Sequence, residues 1–168
     1  RNLPLVTTIM TNNKIEDNLK SKKIKIIQTD VGDRNVYFEM LKNGSNFGGE
    51  NSGHYIFKDF LKTSDANFTM LKLLSLVKSR IDINKISNIK LNPSCLKSFE
   101  IKRKKPIEKI EFIRKYKKKF HNKYKDYYLN IRYSGTESKI RILIQGPSMK
   151  IIKNEIKLFG MLLVQNKL

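Results

Sequence analysis

The segment RYSGTESKIR occupies residues 132–141 and joins two stretches that alternate apolar and polar side chains, as β-strands do. In the second stretch Ile140, Ile142 and Ile144 share one face, which places Arg141 on the other. A turn here gathers backbone N–H groups, hydroxyls and guanidinium groups, the donor set that a phosphate monoester requires. The candidate phosphate ligands are Arg132, Ser134, Gly135, Thr136 and Arg141. The alternative is an ordinary hairpin turn whose arginines are solvated.

The residues around this hairpin predict a small α+β domain over residues 96–168. Its expected elements are a strand at 96–102, a helix that begins near Pro106, strands at 126–132 and 139–145, and a last helix capped by Ser148. Apolar residues at helical spacing should be buried, namely Ile107, Ile110, Ile113, Tyr116, Phe120, Ile151, Ile152, Ile156, Phe159 and Leu163. The order β-α-β-β-α predicts an antiparallel sheet.

Strands alternate with helices over residues 1–80, which predicts an α/β layer domain. The expected strands are 3–10, 24–29, 45–49 and 54–59, and the expected helices are 13–22, 34–43 and 65–78. Asp33 and Asp65 are the predicted helix N-caps, and Gly44 should end the second helix. The side chains expected to face inward are Ile15, Leu19, Val36, Met40, Phe68, Leu71, Leu74 and Leu76. The asparagine-rich residues 81–95 are the predicted linker between the two domains.

A second loop, GGENSGH at residues 48–54, carries the other candidate side chains. Glu50 and Ser52 are two residues apart, so in an extended backbone they would point to the same side and could contact sugar hydroxyls. His54 closes the loop, and an imidazole can transfer protons near neutral pH. The alternatives are a surface cap for Glu50, a turn-forming role for Ser52 and a structural role for His54.

The charge of the chain raises a nucleic-acid interpretation. Lysine and arginine number 35 against 15 acidic residues, a net charge of +20, and residues 102–125 alone contribute +10. Lysine dominates over arginine in that stretch, which favours a solvated surface over base readout. A nucleic-acid-binding module remains the rival from another class, and its affinity would fall steeply with salt.

The single cysteine, Cys95, excludes an internal disulfide and a cysteine-based metal site, which fits a reducing compartment. The longest apolar run, residues 158–164, is far shorter than a membrane span. We therefore expect a cytoplasmic protein with no membrane partner.

Three motifs occur in an order that resembles the phosphoglucosamine mutases of the α-D-phosphohexomutase superfamily: residues 31–34 (VGDR), 48–54 and 132–141. The resemblance implies the third, α/β domain of that fold in three layers, without its first strand, followed by the fourth, TATA-binding-protein-like lid domain. It also implies that the serine-glycine-threonine loop holds the non-reacting phosphate and that Glu50 and Ser52 contact the sugar hydroxyls. Arg34 would reach the site, and His54 would lie near the reacting phosphate. The sequence departs from the family at Ser138, where proline is usual, and at Ser64 and Ala66, where glycines are usual.

The resemblance further implies an isomerase that interconverts glucosamine 6-phosphate and glucosamine 1-phosphate, for the synthesis of UDP-N-acetylglucosamine and the cell wall. In that family an upstream phosphoserine transfers the phosphoryl group through glucosamine 1,6-bisphosphate, and upstream aspartates hold Mg²⁺. Neither motif occurs in these residues. We therefore expect domains 1 and 2 of the same enzyme as partners, no metal ligands here, no nucleic-acid partner and no activity of this chain alone. Another phosphohexomutase, acting on glucose or mannose phosphates, is the alternative.

Overall fold

The computed structural model describes residues 3–77 and 89–168, and the chain divides into two compact units, Arg1–Leu91 and Asn92–Leu168. Most of the predicted linker, residues 81–95, lies outside the described residues. Its last two residues, Ser94 and Cys95, already belong to the first strand of the second unit. No helix in the described ranges is long and apolar enough to cross a bilayer.

Unit 1 alternates strands and helices as predicted. Its elements are β1 (Leu5–Thr8), α1 (Asn13–Ser21), β2 (Ile26–Thr29), α2 (Asp33–Asn43), β3 (Phe47–Gly49), β4 (Tyr55–Phe57) and α3 (Ala66–Leu76). The sheet order is β2-β1-β3-β4; β1 runs parallel to β2 and β3, and β4 is antiparallel to β3. The carboxyl ends of β1, β2 and β3 therefore lie at one edge of the sheet, where open α/β sheets bind their ligands.

The core of unit 1 lies between α2 and the sheet. Val36 and Met40 on α2 pack with Val6 and Ile56, and all four are fully buried or nearly so. The helix approaches β3 so closely that a Cβ built on Gly48 would lie 2.7 Å from both the Met40 sulfur and a Val36 methyl. Glycine at the start of the candidate loop is therefore a packing requirement.

Two of the three predicted helix boundaries in unit 1 are confirmed. Gly44 adopts the left-handed conformation (φ 66°) at the end of α2, and the Asp65 carboxylate accepts the Phe68 N–H at 2.6 Å at the start of α3. The prediction of Asp33 as an N-cap is wrong. Gly32 holds the cap position of α2, and Asp33 is the first helical residue, with its carboxylate bonded elsewhere.

The predicted inward face of α3 is also wrong. Leu71, Leu74 and Leu76 are 62%, 60% and 66% exposed, and only Phe68 turns towards the unit, with its ring stacked on Phe60 at 3.7 Å. The side chains expected to be buried on α1, Ile15 and Leu19, are only half-buried. Both helices form, but the described residues of the unit cover the predicted face of α1 only partly and leave the three leucines of α3 exposed.

Unit 2 has the predicted β-α-β-β-α order. Its elements are β5 (Ser94–Glu100), a 3-10 turn (Ile107–Lys109), α4 (Glu111–Lys123), β6 (Tyr128–Tyr133), β7 (Lys139–Gln145) and α5 (Met149–Gln165). The sheet order is β5-β7-β6, antiparallel throughout as predicted. The helix begins later than expected, because Pro106 leads into the 3-10 turn and α4 starts at Glu111. The Ser148 hydroxyl caps α5 as predicted, accepting the Ile151 N–H at 3.5 Å.

The two helices of unit 2 pack on one face of its sheet. Ile140, Ile142 and Ile144 of β7 are completely buried, and Arg141 lies on the opposite face, as the alternation predicted. The buried partners from the rest of the unit include Ile107, Ile110, Ile113, Tyr116, Phe120, Ile152, Ile156, Phe159 and Leu163. Of the predicted core residues of this unit, only Ile151 is half-buried. Strand β7 is the central strand and pairs with both β5 and β6, so the hairpin loop that precedes it is attached to a strand held on both sides.

Candidate functional site

The glycine loop of unit 1 is a tight turn. The Gly53 N–H donates to the Glu50 carbonyl at 3.1 Å, and the Glu50 N–H donates to the His54 carbonyl at 2.9 Å. Gly53 adopts φ 92°, a conformation that glycine tolerates and other residues rarely adopt. The expectation of an extended backbone across Glu50 and Ser52 is therefore wrong, because the backbone hydrogen bonds of the loop close it at both ends.

The turn nevertheless brings the predicted side chains of Glu50 and Ser52 close to one ring nitrogen of His54. The Nδ1 atom of His54 lies 3.2 Å from the Ser52 hydroxyl, 3.7 Å from the Glu50 carboxylate and 3.9 Å from the Asp33 carboxylate. The imidazole itself is 60% exposed. One side of the ring therefore meets three oxygen-bearing groups, and the rest of the ring is open to a ligand.

Glu50 is held in place although it is charged and 93% buried (7% exposed). One of its carboxylate oxygens accepts the Gly32 N–H at 2.9 Å, and the other faces His54. Gly32 reaches this position with φ 124°. A cleft of about 200 Å³ opens beside Glu50, lined also by Thr7, Thr11 and Tyr55. The Thr7 hydroxyl is buried and has no hydrogen-bond partner within the described residues.

Asp33 joins this cluster from the first turn of α2. Its Oδ2 atom accepts hydrogen bonds from the Ser64 hydroxyl at 2.6 Å, the Ser64 N–H at 3.2 Å and the Thr63 hydroxyl at 3.2 Å. Burial acts to raise the pKa of Asp33, but the hydrogen bonds from Ser64 and Thr63 and the nearby His54 outweigh it, so the pKa lies below its ordinary value. Asp33 therefore stays a carboxylate. Ser64 supplies two of the three donors.

Arg34, the next residue on α2, lies exposed with its guanidinium 5.4 Å from the centre of the Phe38 ring. Its predicted role in substrate binding stays a prediction.

Asp33, Glu50 and His54 could in principle ligate a metal, since one ligand atom from each lies within 4.8 Å of the others. The group suits Mg²⁺ poorly. That ion prefers an octahedron of oxygen ligands, whereas one oxygen of Asp33 and one of Glu50 already accept hydrogen bonds and the third ligand is a nitrogen. The expectation that this chain holds no metal stays a prediction.

The hairpin of unit 2 sets two arginines side by side. Arg132 on β6 and Arg141 on β7 are direct cross-strand partners, with Ser98 of β5 on the other side of Arg141. The Arg141 side chain is 28% exposed, and its Nε atom is buried with no hydrogen-bond partner in the part of the chain that is described. Like charges directly opposite each other destabilise a strand pair. An anion between the two guanidinium groups would remove this repulsion.

The Glu137 carboxylate contacts Arg141 at this position. It accepts from the Lys139 ammonium at 2.6 Å, from Arg141 Nη2 at 2.9 Å and from the Ser134 hydroxyl at 3.5 Å. Hydrogen bonds from Lys139 and Arg141 lower the pKa of Glu137. One carboxylate thus already contacts two of the predicted phosphate ligands, which shows that this set of donors can hold an anionic oxygen.

The remaining predicted ligands differ in how accessible they are. Gly135 and Thr136 are exposed at the tip of the turn, whereas Ser134 is 2% exposed and its N–H donates to the Lys139 carbonyl at 2.9 Å. The Ser134 N–H is therefore part of the hairpin ladder, and its hydroxyl would have to exchange Glu137 for a ligand. The Ser138 carbonyl accepts the Ile101 N–H at 3.0 Å, so the loop is held at Ser138.

Sequence reasoning missed three residues of these sites. The sequence pattern predicts Asp33 as a helix cap, although its position directly after the glycine that follows a strand is also a signal for a site residue. Glu137 and Lys139 lie inside the quoted segment 132–141, but which of its charges would contact each other could not be read from spacing alone.

Comparison with known proteins agrees with the resemblance in the sequence. Residues 1–91 match the family model described as phosphoglucomutase/phosphomannomutase, alpha/beta/alpha domain III. The phosphoglucosamine mutase of Campylobacter curvus is 39% identical over 161 residues, which cover 92% of this chain and 35% of that protein. The chain thus spans about a third of the length of the curated relatives it matches.

Solved structures with the same fold cover both units. A variant of Aspergillus fumigatus N-acetylphosphoglucosamine mutase in complex with glucose 1,6-bisphosphate has a TM-score of 0.77 at 14% identity, covering 99% of this chain and 39% of that chain. The complex of the A. fumigatus enzyme with GlcNAc-6P and magnesium has a TM-score of 0.73 at 16% identity, covering 92% and 40%. At these identities the likeness establishes the fold, and it confirms the predicted fold class.

Proposed function

The chain belongs to the phosphoglucomutase/phosphomannomutase family, and from that premise we propose that it is the phosphosugar-binding C-terminal part of a phosphoglucosamine mutase. The choice of glucosamine phosphate as substrate rests on the names of the relatives at 39% identity. The loop of unit 2 binds the phosphate group, and the loop of unit 1 binds sugar hydroxyls.

The observation that carries this proposal is the pairing of Arg132 with Arg141. Two guanidinium groups at the same register, one with a buried Nε atom that lacks a partner in the described residues, are suited to bind an oxyanion, which supports the proposal. The exposed Gly135 and Thr136 at the adjoining turn add an N–H and a hydroxyl that a phosphate oxygen could reach. A phosphate placed there would take over the Arg141 Nη2 that Glu137 now contacts.

The proposed role of unit 1 rests on the cluster at His54. Glu50 keeps one oxygen for Gly32 and turns the other towards the imidazole. The Glu50 residue also lines the open cleft. A buried carboxylate beside a cleft of about 200 Å³ can accept hydrogen bonds from vicinal hydroxyls, which an amide does less well. Ser52 lies next to it, and His54 is placed to exchange a proton with a hydroxyl of the substrate.

The complete reaction needs groups that these residues do not supply. We propose that the phosphoserine and the Mg²⁺ ligands lie in domains 1 and 2, in the two thirds of the relatives' length that this chain does not match. Bound there, Mg²⁺ would offset negative charge during phosphoryl transfer. The intermediate would be glucosamine 1,6-bisphosphate, and the product would enter UDP-N-acetylglucosamine and cell-wall synthesis. A cytoplasmic location suits the free thiol of Cys95.

The proposal is tested by titrating the 168-residue chain with glucosamine 6-phosphate, with glucosamine and with inorganic phosphate, followed by amide NMR. We expect both phosphate compounds to shift residues 132–141, and glucosamine alone to leave them unchanged. Arg132→Ala should abolish this response, and Lys118→Ala, an exposed lysine on α4, should keep it. Phosphate shifts spread evenly over the lysine surface would show that diffuse charge binds the anion.

Catalysis is tested separately. The chain alone should not convert glucosamine 6-phosphate, whereas the chain joined to domains 1 and 2 of a relative should do so with Mg²⁺. The description of the family model also favours a second candidate, a mutase for glucose or mannose phosphates. Comparison of kcat/KM for glucosamine, glucose and mannose phosphates in the joined protein decides between the two.

A further inference from the structure

We propose that Asp33 is a positioning residue that, together with Glu50, keeps the proton of neutral His54 on Nδ1 and leaves the lone pair of Nε2 open to the substrate. The inference deepens the proposed function, since it states which atom of His54 would accept a proton from a sugar phosphate. It rests on three distances that converge on a single ring nitrogen.

Asp33 is built to present one oxygen to the ring. All three hydrogen bonds from Ser64 and Thr63 end on its Oδ2 atom, at 2.6 to 3.2 Å. The other oxygen, Oδ1, is the one that lies 3.9 Å from His54 Nδ1. The donors therefore fix the rotation of the carboxylate, and Oδ1 faces the imidazole.

Glu50, within the glycine loop, has the same arrangement. Its Oε1 atom is held by the Gly32 N–H, and its Oε2 atom lies 3.7 Å from the same nitrogen. Gly32 directly precedes Asp33, so one short turn aims both carboxylates. Because Glu50 is only 7% exposed, water screens its charge weakly.

These two carboxylates decide the tautomer by electrostatics. A neutral imidazole has one N–H and one lone pair, and the groups around it determine which nitrogen holds the proton. A lone pair on Nδ1 would face two negative charges, whereas an N–H there is attracted to both. At 3.7 and 3.9 Å the carboxylates lie beyond hydrogen-bond distance, so Ser52 at 3.2 Å is the direct partner of Nδ1 and the charges provide the bias.

The arrangement separates two tasks within the loop. Nδ1 is committed to Ser52 and the carboxylates, and Nε2 is left as the acceptor. A free imidazole favours the other tautomer, with the proton on Nε2, so a proton on Nδ1 would be a signature of the site. Ser64 contributes here through Asp33, because its hydroxyl and its N–H both hold the Oδ2 atom.

The test measures the tautomer directly. The ¹⁵N shifts of the two ring nitrogens are recorded for the 168-residue chain at a pH where the imidazoles are neutral. The chain has two histidines, and His121 on α4 of the other unit serves as the internal control in every sample. We expect His54 to show the proton mainly on Nδ1 in the wild type and mainly on Nε2 in Asp33→Asn, with His121 unchanged.

Two further variants keep the inference open to refutation. Ser64→Ala removes one donor from Asp33 without removing its charge, and should give a tautomer ratio between those of the wild type and Asp33→Asn. Asp17→Asn, on exposed α1 where Asp17 pairs with Lys14, is the matched control and should have no effect. A wild-type His54 with its proton on Nε2, or the same ratio in Asp33→Asn as in the wild type, overturns the proposal. Neither readout needs a bound phosphosugar, so a failure here is distinct from a failure of the titration at residues 132–141.

Discussion

Replacement of Arg141 by alanine should separate anion binding from the stability of unit 2. Arg141 lies opposite Arg132, and its Nη2 atom is 2.9 Å from the Glu137 carboxylate. A hydrogen bond to a charged group contributes ~1.5–3 kcal/mol, so Arg141→Ala should weaken phosphate binding roughly 10- to 150-fold. The same change removes a like-charge contact and an exposed ion pair, two effects of opposite sign and of at most about 1 kcal/mol each. The free energy of unfolding without ligand should therefore change little.

The assay is calorimetric unfolding of the 168-residue chain with and without glucosamine 6-phosphate. A ligand at about ten times its Kd contributes about 1.4 kcal/mol, which corresponds to ~6–11 °C in Tm for the unfolding of unit 2, Asn92–Leu168. If Kd rises tenfold in the variant, the same ligand concentration contributes only about 0.4 kcal/mol, or ~2–3 °C. Lys118→Ala should keep the full wild-type shift. Equal ligand-induced shifts in Arg141→Ala and the wild type would refute the assignment of the phosphate site.

Four further changes test individual contacts. Glu50→Gln in the complete enzyme, joined to domains 1 and 2, should impair turnover while anion binding at residues 132–141 stays intact. The amide can still accept the Gly32 N–H but loses the charge, and wild-type kinetics would show that Glu50 is not part of the site. Gly32→Ala should reduce the free energy of unfolding of unit 1 by ~1–3 kcal/mol, measured by urea titration, since φ 124° is strained for alanine. Ile142→Ala should destabilise unit 2 by ~2–5 kcal/mol through a core cavity, and a smaller effect would show that the sheet collapses around it. The pKa of Asp33 lies below its ordinary value of 3.8, so its contribution to stability is present above that value and is lost as pH falls through the lower, folded-state pKa. The difference in unfolding free energy between the wild type and Asp33→Asn should therefore shrink over that acid range. A constant difference would contradict the hydrogen-bonded carboxylate.

Unit 2 could be predicted from the sequence because its signals are local. The period of two in Ile140, Ile142 and Ile144 set the buried face of β7 and thereby the outward side of Arg141. Ser148 and the stripe from Ile113 to Phe120 likewise depend on residues within a few turns of each other. The loop that carries the candidate phosphate ligands follows from the strands on either side of it.

The predictions that failed depend on contacts between residues far apart in the chain. Asp33 does not cap its helix because Ser64, 31 residues later, takes its carboxylate, and Gly32 uses its N–H for Glu50, 18 residues later. Neither partner can be identified from the spacing around position 33. The prediction that the leucines of α3 are buried failed for a similar reason. A helical period shows which side chains share a face, but not whether other residues cover that face.

The unequal cores of the two units have a consequence for hydrogen exchange. Among the described residues, the buried cluster of unit 1 contains four side chains, whereas that of unit 2 contains fifteen. Amide protons exchange through local opening, and regions with few buried apolar contacts open at lower free energy. The backbone around Glu50 and His54 should therefore exchange faster than the strands that flank Ser134. The strands beside the proposed anion site would thus be protected from exchange before a ligand binds. The loop with Glu50 and His54 would exchange readily and would gain protection when a ligand orders it.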